Sequence, residues 1–345
     1  MAQPYGYFIQ WHLTDRCNLA CRHCYQKGVS HSELTADRIA FLICEIREML
    51  DGWAEEYELD ISSSLQFTGG EPLLRNDLFN ILDVSREMRF TTFLMTNGTL
   101  IDKSAAEKIR AADVCAVQVS LEGLPETHDS IRGPGSFRQA ADGIKNLRAA
   151  GVDVTASVTL TNLNAGDIAA VAEQAADLGA SRIGFARLVP EGRGGALAEA
   201  MLSPAELKEA FLTIKNLKVP GLTAMTRDPV NCLIDIDGEA ASCGGIAVGG
   251  CAAGLTGVTI MPDGTVMPCR RMNMGIGNIT ETPLRDIWAD SHVLNNLRDK
   301  ALYHDRCGEC TKWDVCRGCR AVALAVSKAD GVPDYLADDP QCFKE

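Results

Sequence analysis

The chain has 345 residues, a net charge of −13 and 46% hydrophobic residues. This composition is ordinary for a globular protein, and the negative charge argues against nucleic-acid binding and against binding to an anionic membrane surface. The sequence has neither an apolar run of membrane-spanning length nor a secretory signal, so we expect a cytoplasmic protein. In that reducing compartment, clusters among the fourteen cysteines are expected to be metal ligands or catalytic groups rather than disulfides.

The first two thirds of the chain alternate strand-like and helical patterns. Short runs rich in β-branched and aromatic residues predict strands at residues 7–14, 65–70, 91–98, 116–123, 154–161 and 182–190. Apolar residues at three- and four-residue spacing predict helices at about 35–57, 76–89, 103–112, 137–150, 165–179 and 203–217, with Thr35, Asp102 and Ser203 as N-caps. This alternation predicts an α/β fold with a parallel sheet, either a partial (β/α)6 barrel or a doubly wound sheet.

The sequence changes character near residue 220, which divides it into an expected barrel domain (1–220) and a cysteine-rich domain (221–345). Glycine and cysteine become frequent, and residues 257–269 predict a β-hairpin with Pro262-Asp263-Gly264 at the turn. The second domain offers few apolar residues, so we expect metal clusters to hold it together. The isolated Cys44 and Cys115 are expected to be small buried residues.

Three cysteines follow the first predicted strand at the spacing Cys17-x3-Cys21-x2-Cys24. Structural zinc sites and ordinary iron–sulfur clusters have four protein ligands, so three thiolates on a four-iron cluster leave one iron open to a small molecule. Half of a zinc site completed elsewhere in the chain is the alternative. The segments 69–72 (GGEP), 96–99 (TNGT) and 120–123 (SLEG) follow the next three strands, at the edge where parallel α/β proteins place their active sites.

The cysteine motif followed by the aromatic Tyr25, together with the GGEP segment and the predicted partial barrel, resembles the radical S-adenosylmethionine (SAM) superfamily. The resemblance implies that SAM binds the open iron, that reduction of the cluster cleaves its sulfonium bond, and that the 5′-deoxyadenosyl radical abstracts hydrogen from a substrate. An electron donor such as flavodoxin or ferredoxin would be a partner. By this resemblance, the cluster ligands are Cys17, Cys21 and Cys24, and the SAM-binding residues are Tyr25, Gly69, Gly70, Glu71, Pro72, Asn97, Ser120, Glu122 and Arg132.

The C-terminal cysteines resemble the SPASM domain, which binds auxiliary four-iron clusters in one branch of that superfamily. The resemblance implies three [4Fe-4S] clusters in total. The first auxiliary cluster would be held by Cys243, Cys251, Cys269 and Cys319, and the second by Cys307, Cys310, Cys316 and Cys342. Cys232 is then either a spare thiol or a competitor of Cys243, and the Cys-x2-Cys pairs also suit structural zinc.

The resemblance favours modification of a ribosomally made peptide, such as a thioether or carbon–carbon crosslink. No leader-binding module is expected before Cys17, which either weakens this hypothesis or assigns leader recognition to a separate leader-binding protein. Arg270-Arg271 replaces the Asp expected after the cysteine in formylglycine-forming relatives, which disfavours that reaction. Tetrapyrrole side-chain modification is the alternative, with Arg187, Arg193, Arg270 and Arg271 as carboxylate clamps or as ordinary surface residues. A non-enzymatic iron–sulfur or zinc protein is the alternative of another class.

Overall fold

The structure is a computed structural model that describes residues 5–26, 31–234 and 247–344. Within these residues the scaffold is one ten-stranded sheet with the strand order β10-β9-β8-β1-β2-β3-β4-β5-β6-β7. The strands are β1 (Tyr5–His12), β2 (Ile61–Thr68), β3 (Thr91–Thr96), β4 (Ala116–Ser120), β5 (Val154–Leu160), β6 (Arg182–Arg187), β7 (Thr223–Thr226), β8 (Gly257–Ile260), β9 (Thr265–Met267) and β10 (Gly277–Asn278). All six predicted strands are present.

The order of the strands decides between the two predicted architectures. Strands β1 to β7 are parallel and lie side by side in chain order. A doubly wound sheet would reverse direction at a switch point, whereas successive right-handed crossovers in one direction place every helix on the same face, as in a barrel. The sheet therefore confirms the predicted α/β class with a partial barrel.

Eleven α-helices occur in the described residues. They are α1 (Ala36–Glu56), α2 (Leu78–Glu87), α3 (Lys103–Ala111), α4 (Pro125–Arg132), α5 (Ser136–Ala149), α6 (Ile168–Asp177), α7 (Pro204–Asn216), α8 (Leu284–Asp290), α9 (His292–Arg298), α10 (Asp305–Glu309) and α11 (Arg320–Ala329). The six predicted helices are confirmed, and the side chains of Thr35, Asp102 and Ser203 each accept the expected N-cap hydrogen bond. No helix of the described chain is long and apolar enough to cross a membrane.

The C-terminal part is joined directly to the barrel. The predicted hairpin is formed by β8 and β9, and β8 pairs in parallel with β1, from Phe8 opposite Gly257 to Trp11 opposite Ile260. Residues of β8 and β9 belong to the same apolar core as the barrel strands and helices. A second apolar cluster, which includes Leu294, lies mainly among C-terminal residues, so this part buries more apolar surface than its sequence indicated.

One prediction about the isolated cysteines is wrong. Cys115 is exposed, because it lies just before β4 and its neighbour Ala116 takes the buried position. Cys44 is half-buried in α1, with its thiol 3.7 Å from the Met88 sulfur.

Candidate active site and auxiliary cysteine groups

A cavity opens at the carboxyl ends of the parallel strands. The predicted residues that line it are Cys17, Cys21, Cys24, Tyr25, Gly69, Gly70, Asn97, Ser120, Glu122 and Arg132. They come from the loops after four successive strands, so the parallel sheet brings them to one edge, as the sequence predicted. The cavity also takes in strand-end residues of β5 and β6 and reaches Arg270 and Arg271 beyond β9.

Hydrogen-bond donors face two of the three N-terminal thiols, Cys17 and Cys21. The Leu19 amide N lies 3.4 Å and the Asn97 side-chain nitrogen 4.0 Å from the Cys17 sulfur, and Arg132 Nη1 lies 3.6 Å from the Cys21 sulfur. Burial raises the pKa of Cys17 and of Cys21, and the neighbouring Cys24 raises both further. Buried cysteines that face hydrogen-bond donors, beside a third cysteine in the same loop, fit a positively charged metal cluster that takes them as thiolates.

The GGEP loop packs against the start of the cysteine loop, the segment after β1 that carries Cys17, Cys21 and Cys24. A side chain on Gly69 would place its Cβ 2.3 Å from the Thr14 carbonyl oxygen, and one on Gly70 would place it 2.2 Å from that of Arg16. The Gly70 amide donates to the Thr14 carbonyl at 2.7 Å, and the Glu71 amide donates to the Arg16 carbonyl at 2.8 Å. The glycines are therefore needed for contact between two backbones, in addition to lining the cavity.

Glu71 and Pro72 do not line the cavity. The fully buried Glu71 carboxylate accepts hydrogen bonds from the Thr96 hydroxyl (2.8 Å) and from the amides of Asn97 (2.9 Å) and Leu73 (3.2 Å). Burial raises the pKa of Glu71, and these donors oppose that rise. Pro72 begins the short 3-10 helix that Glu71 caps. Both residues fix the loops after β2 and β3 instead of presenting side chains to a ligand.

Arg132, which was predicted to bind SAM, is held in a buried ion pair. The Arg132 guanidinium at the end of α4 is paired with Glu122, with Nε at 3.0 Å, and His23 Nε2 lies 3.3 Å from the same carboxylate. Burial alone would raise the pKa of Glu122, but Arg132 and His23 outweigh it and hold that pKa far below its usual range. The second carboxylate oxygen accepts from the Thr159 amide at 2.7 Å. Glu122 therefore connects the cysteine loop, α4 and β5.

The other predicted SAM-binding residues line the cavity and also contact neighbouring residues of this chain. The Asn97 amide group donates to Asn18 at 2.9 Å and accepts from the Thr99 amide at 2.9 Å. The Ser120 hydroxyl makes a long contact, 3.5 Å, with the Thr96 carbonyl. The Tyr25 ring lies under the Arg270 guanidinium, 5.7 Å from its centre, so one aromatic face is covered by this chain's own cation.

The four arginines that were predicted as carboxylate clamps divide into two kinds. Arg187 is buried, and its guanidinium is already bonded to Asp228 and Asp339, so this prediction is wrong for Arg187. Arg193 donates to the Cys21 carbonyl, Arg270 contacts the Met95 sulfur and Arg271 donates to the Arg187 carbonyl. No carboxylate of the described chain lies within ion-pair distance of Arg193, Arg270 or Arg271, and all three line the cavity.

Sequence reasoning missed His12, the last residue of β1. Its ring is fully buried, neither ring nitrogen has a hydrogen-bond partner among the described residues, and burial lowers its pKa to about 3. The ring meets Tyr25 edge to face at 6.1 Å between centres. The sequence signal for His12 is its place as a polar residue at the end of an apolar strand, five residues before Cys17.

Three of the cysteines predicted for the first auxiliary cluster share one neighbourhood. Burial raises the pKa of Cys319 to about 11, and nearby Cys251 adds to that rise. Burial alone would lower the pKa of Arg271, but Cys319 and Cys269 outweigh it and raise that pKa. The fourth predicted ligand, Cys243, lies outside the described residues.

The cysteines predicted for the second auxiliary cluster also lie together, and Cys232 joins them. The Cys232 and Cys316 thiols hydrogen-bond to each other, and Cys310 and Cys342 both act on the pKa of Cys232. Cys307 adjoins this group, because its carbonyl accepts a hydrogen bond from the Cys310 amide at 3.3 Å, and Arg320 Nη2 lies 3.8 Å from its sulfur. This position of Cys232 beside Cys316 favours the spare-thiol alternative over competition with Cys243 at the first group. Among the described residues, no three His, Cys, Asp or Glu side chains converge closely enough to hold a single metal ion.

Comparison with known proteins defines the class. Residues 11–175 match the radical SAM superfamily model and residues 251–320 match the model of an iron–sulfur cluster-binding domain, SPASM. The chain belongs to the radical SAM superfamily and carries a SPASM domain. It is a radical SAM enzyme that uses SAM and [4Fe-4S] clusters.

Individual relatives extend the match over nearly the whole chain. An AdoMet-dependent heme synthase of Methanosarcina barkeri is 33% identical, covering 97% of this chain and 95% of the relative. A mycofactocin maturase of Mycobacterium ulcerans is 30% identical, covering 97% and 87%. The crystal structure of Streptococcus suis SuiB bound to S-adenosylmethionine has the same fold, with a TM-score of 0.76 at 19% identity, covering 99% of this chain and 78% of SuiB.

Proposed function

We propose that this enzyme modifies a haem-type tetrapyrrole by decarboxylation or removal of a carboxylate-bearing side chain. The observation that carries the proposal is the positive charge of the cavity in a chain of net charge −13. Arg193, Arg270 and Arg271 line the cavity without a carboxylate partner in the described chain. Guanidinium groups pair with carboxylates through two parallel hydrogen bonds, so such a cavity suits a substrate with several carboxylate side chains.

The similarity to heme synthases supports the same substrate class, because those relatives align over nearly their whole length. When bound, SAM and its cluster supply a carbon radical that abstracts hydrogen from the substrate. The chain's own residues then hold the substrate: Arg270 and Arg271 on one side of the cavity and Arg193 on the loop after β6. We further propose Cys17, Cys21 and Cys24 as ligands of the SAM cluster, two auxiliary clusters in the C-terminal part, and a flavodoxin or ferredoxin as electron donor.

The test uses anaerobically reconstituted enzyme with SAM, dithionite and iron coproporphyrin III, followed by liquid chromatography and mass spectrometry. We expect release of 5′-deoxyadenosine together with a porphyrin that has lost a carboxyl group from a propionate side chain. The methyl ester of the same porphyrin is the matched control and should not react, because it cannot pair with arginine. Release of 5′-deoxyadenosine with an unchanged porphyrin would contradict the proposed substrate but not the enzyme class.

The arginines are tested individually. Arg270→Gln and Arg271→Gln should each raise the KM for the porphyrin about tenfold, since a hydrogen bond to a charged group contributes about 1.5–3 kcal/mol. Both variants should still cleave SAM in the absence of substrate. Arg138→Gln, an exposed change on α5, is the control and should leave KM unchanged. Unchanged KM in both cavity variants would contradict the clamp.

Peptide maturation is the second candidate, and the similarity to mycofactocin maturases favours it. A peptide substrate would be recognised mainly by backbone hydrogen bonds and would not require several arginines in one cavity. Incubation with a peptide encoded beside the gene, with and without a separate leader-binding protein, followed by mass spectrometry, distinguishes the two functions. A mass change in the peptide and none in the porphyrin would replace the first candidate with the second.

A further inference from the structure

A buried ion pair connects the cavity to both auxiliary cysteine groups. Arg187 ends β6, lines the cavity and is 2% exposed. Its guanidinium donates to Asp339 through Nη1 at 2.9 Å and Nη2 at 2.8 Å, and to Asp228 through Nε at 2.6 Å. Asp339 is fully buried and lies 152 residues from Arg187 in sequence, so tertiary structure alone brings the two side chains together.

Asp339 lies between the predicted ligands of the two auxiliary clusters. Its Oδ2 accepts a hydrogen bond from the Cys319 amide at 2.7 Å, and its backbone carbonyl accepts one from the Cys342 amide at 3.1 Å. The segment before Cys319 is tightly packed here, because a side chain on Gly318 would place its Cβ 2.7 Å from the Asp339 Cβ. Asp339 therefore contacts the backbone of a predicted ligand from each group, Cys319 through its carboxylate and Cys342 through its own backbone carbonyl.

The formal charges at this place are enclosed, and the fully buried Arg320 lies nearby on the side of Cys307. Asp228 and Asp339 contribute negative charge, and Arg187 contributes positive charge. Arg271 supplies a further positive charge on the cavity side, where it donates to the Arg187 carbonyl. Water is excluded from Arg187 and Asp339, so solvent screens their charges weakly. Reduction of a [4Fe-4S] cluster adds one negative charge, which a fixed neighbouring cation favours and a fixed anion opposes.

We propose that Arg187 and Asp339 act in opposite directions on the reduction potentials of the auxiliary clusters, most strongly on the cluster held by Cys319. Arg187 raises the potential and Asp339 lowers it. Because Arg187 also lines the cavity, it is the residue through which the substrate site and the auxiliary clusters share one charge environment. This inference rests on the proposed auxiliary ligands and is independent of which substrate the enzyme takes.

The test compares Arg187→Gln and Asp339→Asn in the full, anaerobically reconstituted chain by redox titration followed with electron paramagnetic resonance. Arg187→Gln should shift the midpoint potential of an auxiliary cluster to more negative values, and Asp339→Asn should shift it to more positive values. The double variant should lie close to the wild type. Arg182→Gln, at the opposite end of the same strand and partly exposed, is the matched control and should leave all potentials unchanged.

Opposite shifts distinguish charge from structural damage, since loss of packing would affect both variants alike. Shifts of equal sign, or unchanged potentials with full iron content, would overturn the proposal.

If Arg187→Gln loses iron, Arg187→Lys provides the decision, because lysine keeps the charge but not the paired hydrogen bonds. A wild-type potential in Arg187→Lys supports the proposal, and a potential or iron content changed as in Arg187→Gln contradicts it. Wild-type iron and sulfide counts too low for auxiliary clusters would instead contradict the proposed auxiliary ligands, and with them this inference.

Discussion

Glu122 has three distinct structural roles at the site. It neutralises Arg132, holds His23 within the cysteine loop and accepts a hydrogen bond from the Thr159 amide. The first of these is energetically dominant, because the Arg132 guanidinium is almost fully enclosed and lies next to the Cys21 thiol. A buried charge that loses its partner costs far more than the pair contributes when intact.

We expect Glu122→Gln to lower the free energy of unfolding by about 3–5 kcal/mol, as measured by urea titration with circular dichroism. Glu126→Gln on the exposed start of α4 is the control and should change it by less than about 0.5 kcal/mol. The Glu122 pKa is lowered in the folded state, so its contribution is present above the unfolded value of about 4.3 and is lost as the pH falls below it. A difference in the free energy of unfolding between Glu122→Gln and the wild type that stays constant down to pH 3 would contradict this assignment.

Cys24 and Cys115 allow a comparison of two cysteines with different predicted roles. Cys24→Ala should abolish SAM cleavage and remove the iron of one cluster, because a predicted ligand is lost. Cys115→Ala should keep full iron content and full release of 5′-deoxyadenosine, because that thiol is exposed and remote from the cavity. Iron analysis together with chromatography of 5′-deoxyadenosine provides the measurement. Retention of SAM cleavage by Cys24→Ala would exclude the three-cysteine site.

At the scale of secondary-structure elements, the cysteine loop is held by neighbouring backbones on two sides. The GGEP loop after β2 packs against Thr14 and Arg16 at its start. The loop after β6 packs against its end, where the Gly194 amide donates to the Cys24 carbonyl at 3.1 Å. A Cβ on Gly192, whose φ is +60°, would come within 2.3 Å of the Tyr25 carbonyl oxygen. The cysteine loop is therefore fixed by glycine contacts from two other loops, the one after β2 and the one after β6.

Gly70→Ala tests this element-scale contact. The added methyl group would collide with the Arg16 carbonyl, so we expect the two loops to separate and the SAM cluster to be lost, while the auxiliary clusters remain. Gly52→Ala in α1 is the control: its Cβ meets no atom within 4 Å, and it should stabilise the helix by about 0.5–1 kcal/mol. Iron counts and paramagnetic resonance spectra measure both. Full iron content in Gly70→Ala would show that the loops tolerate a wider separation.

The elements that the sequence predicted well are those whose own residues carry the signal. The period of apolar residues located α1 and α5 to within one residue at each end. Helix α4 was missed because its sequence is mostly polar and offers no apolar stripe, and β7 has only four residues. The role of Arg187 could not be predicted, because Asp228 and Asp339 lie 41 and 152 residues away and nothing local indicates that they meet.

At the scale of the whole molecule, the proposed domain boundary near residue 220 does not separate two independent folds. Strand β8 completes one side of β1, and Tyr7 packs edge to face against Trp288 at 5.1 Å between ring centres. A fragment of residues 1–220 would therefore expose both the backbone of a strand edge and an aromatic surface. Each half depends on the other for burial of apolar residues.

We expect fragment 1–220 expressed alone to aggregate, as measured by size-exclusion chromatography. Co-expression with fragment 221–345 should restore a soluble complex, because β8 can then pair with β1 from a separate chain. The full-length chain provides the control for expression level. A monomeric, folded 1–220 fragment that binds its cluster would contradict the dependence on β8.

The pairing of β1 with β8 has a consequence for biosynthesis. Strand β1 leaves the ribosome before its neighbour β8, which is separated from it by more than two hundred residues. At translation rates of about 5–20 residues per second, that edge waits tens of seconds for its partner. The nascent protein thus spends much of its synthesis with an open hydrogen-bonding ladder along one side of β1.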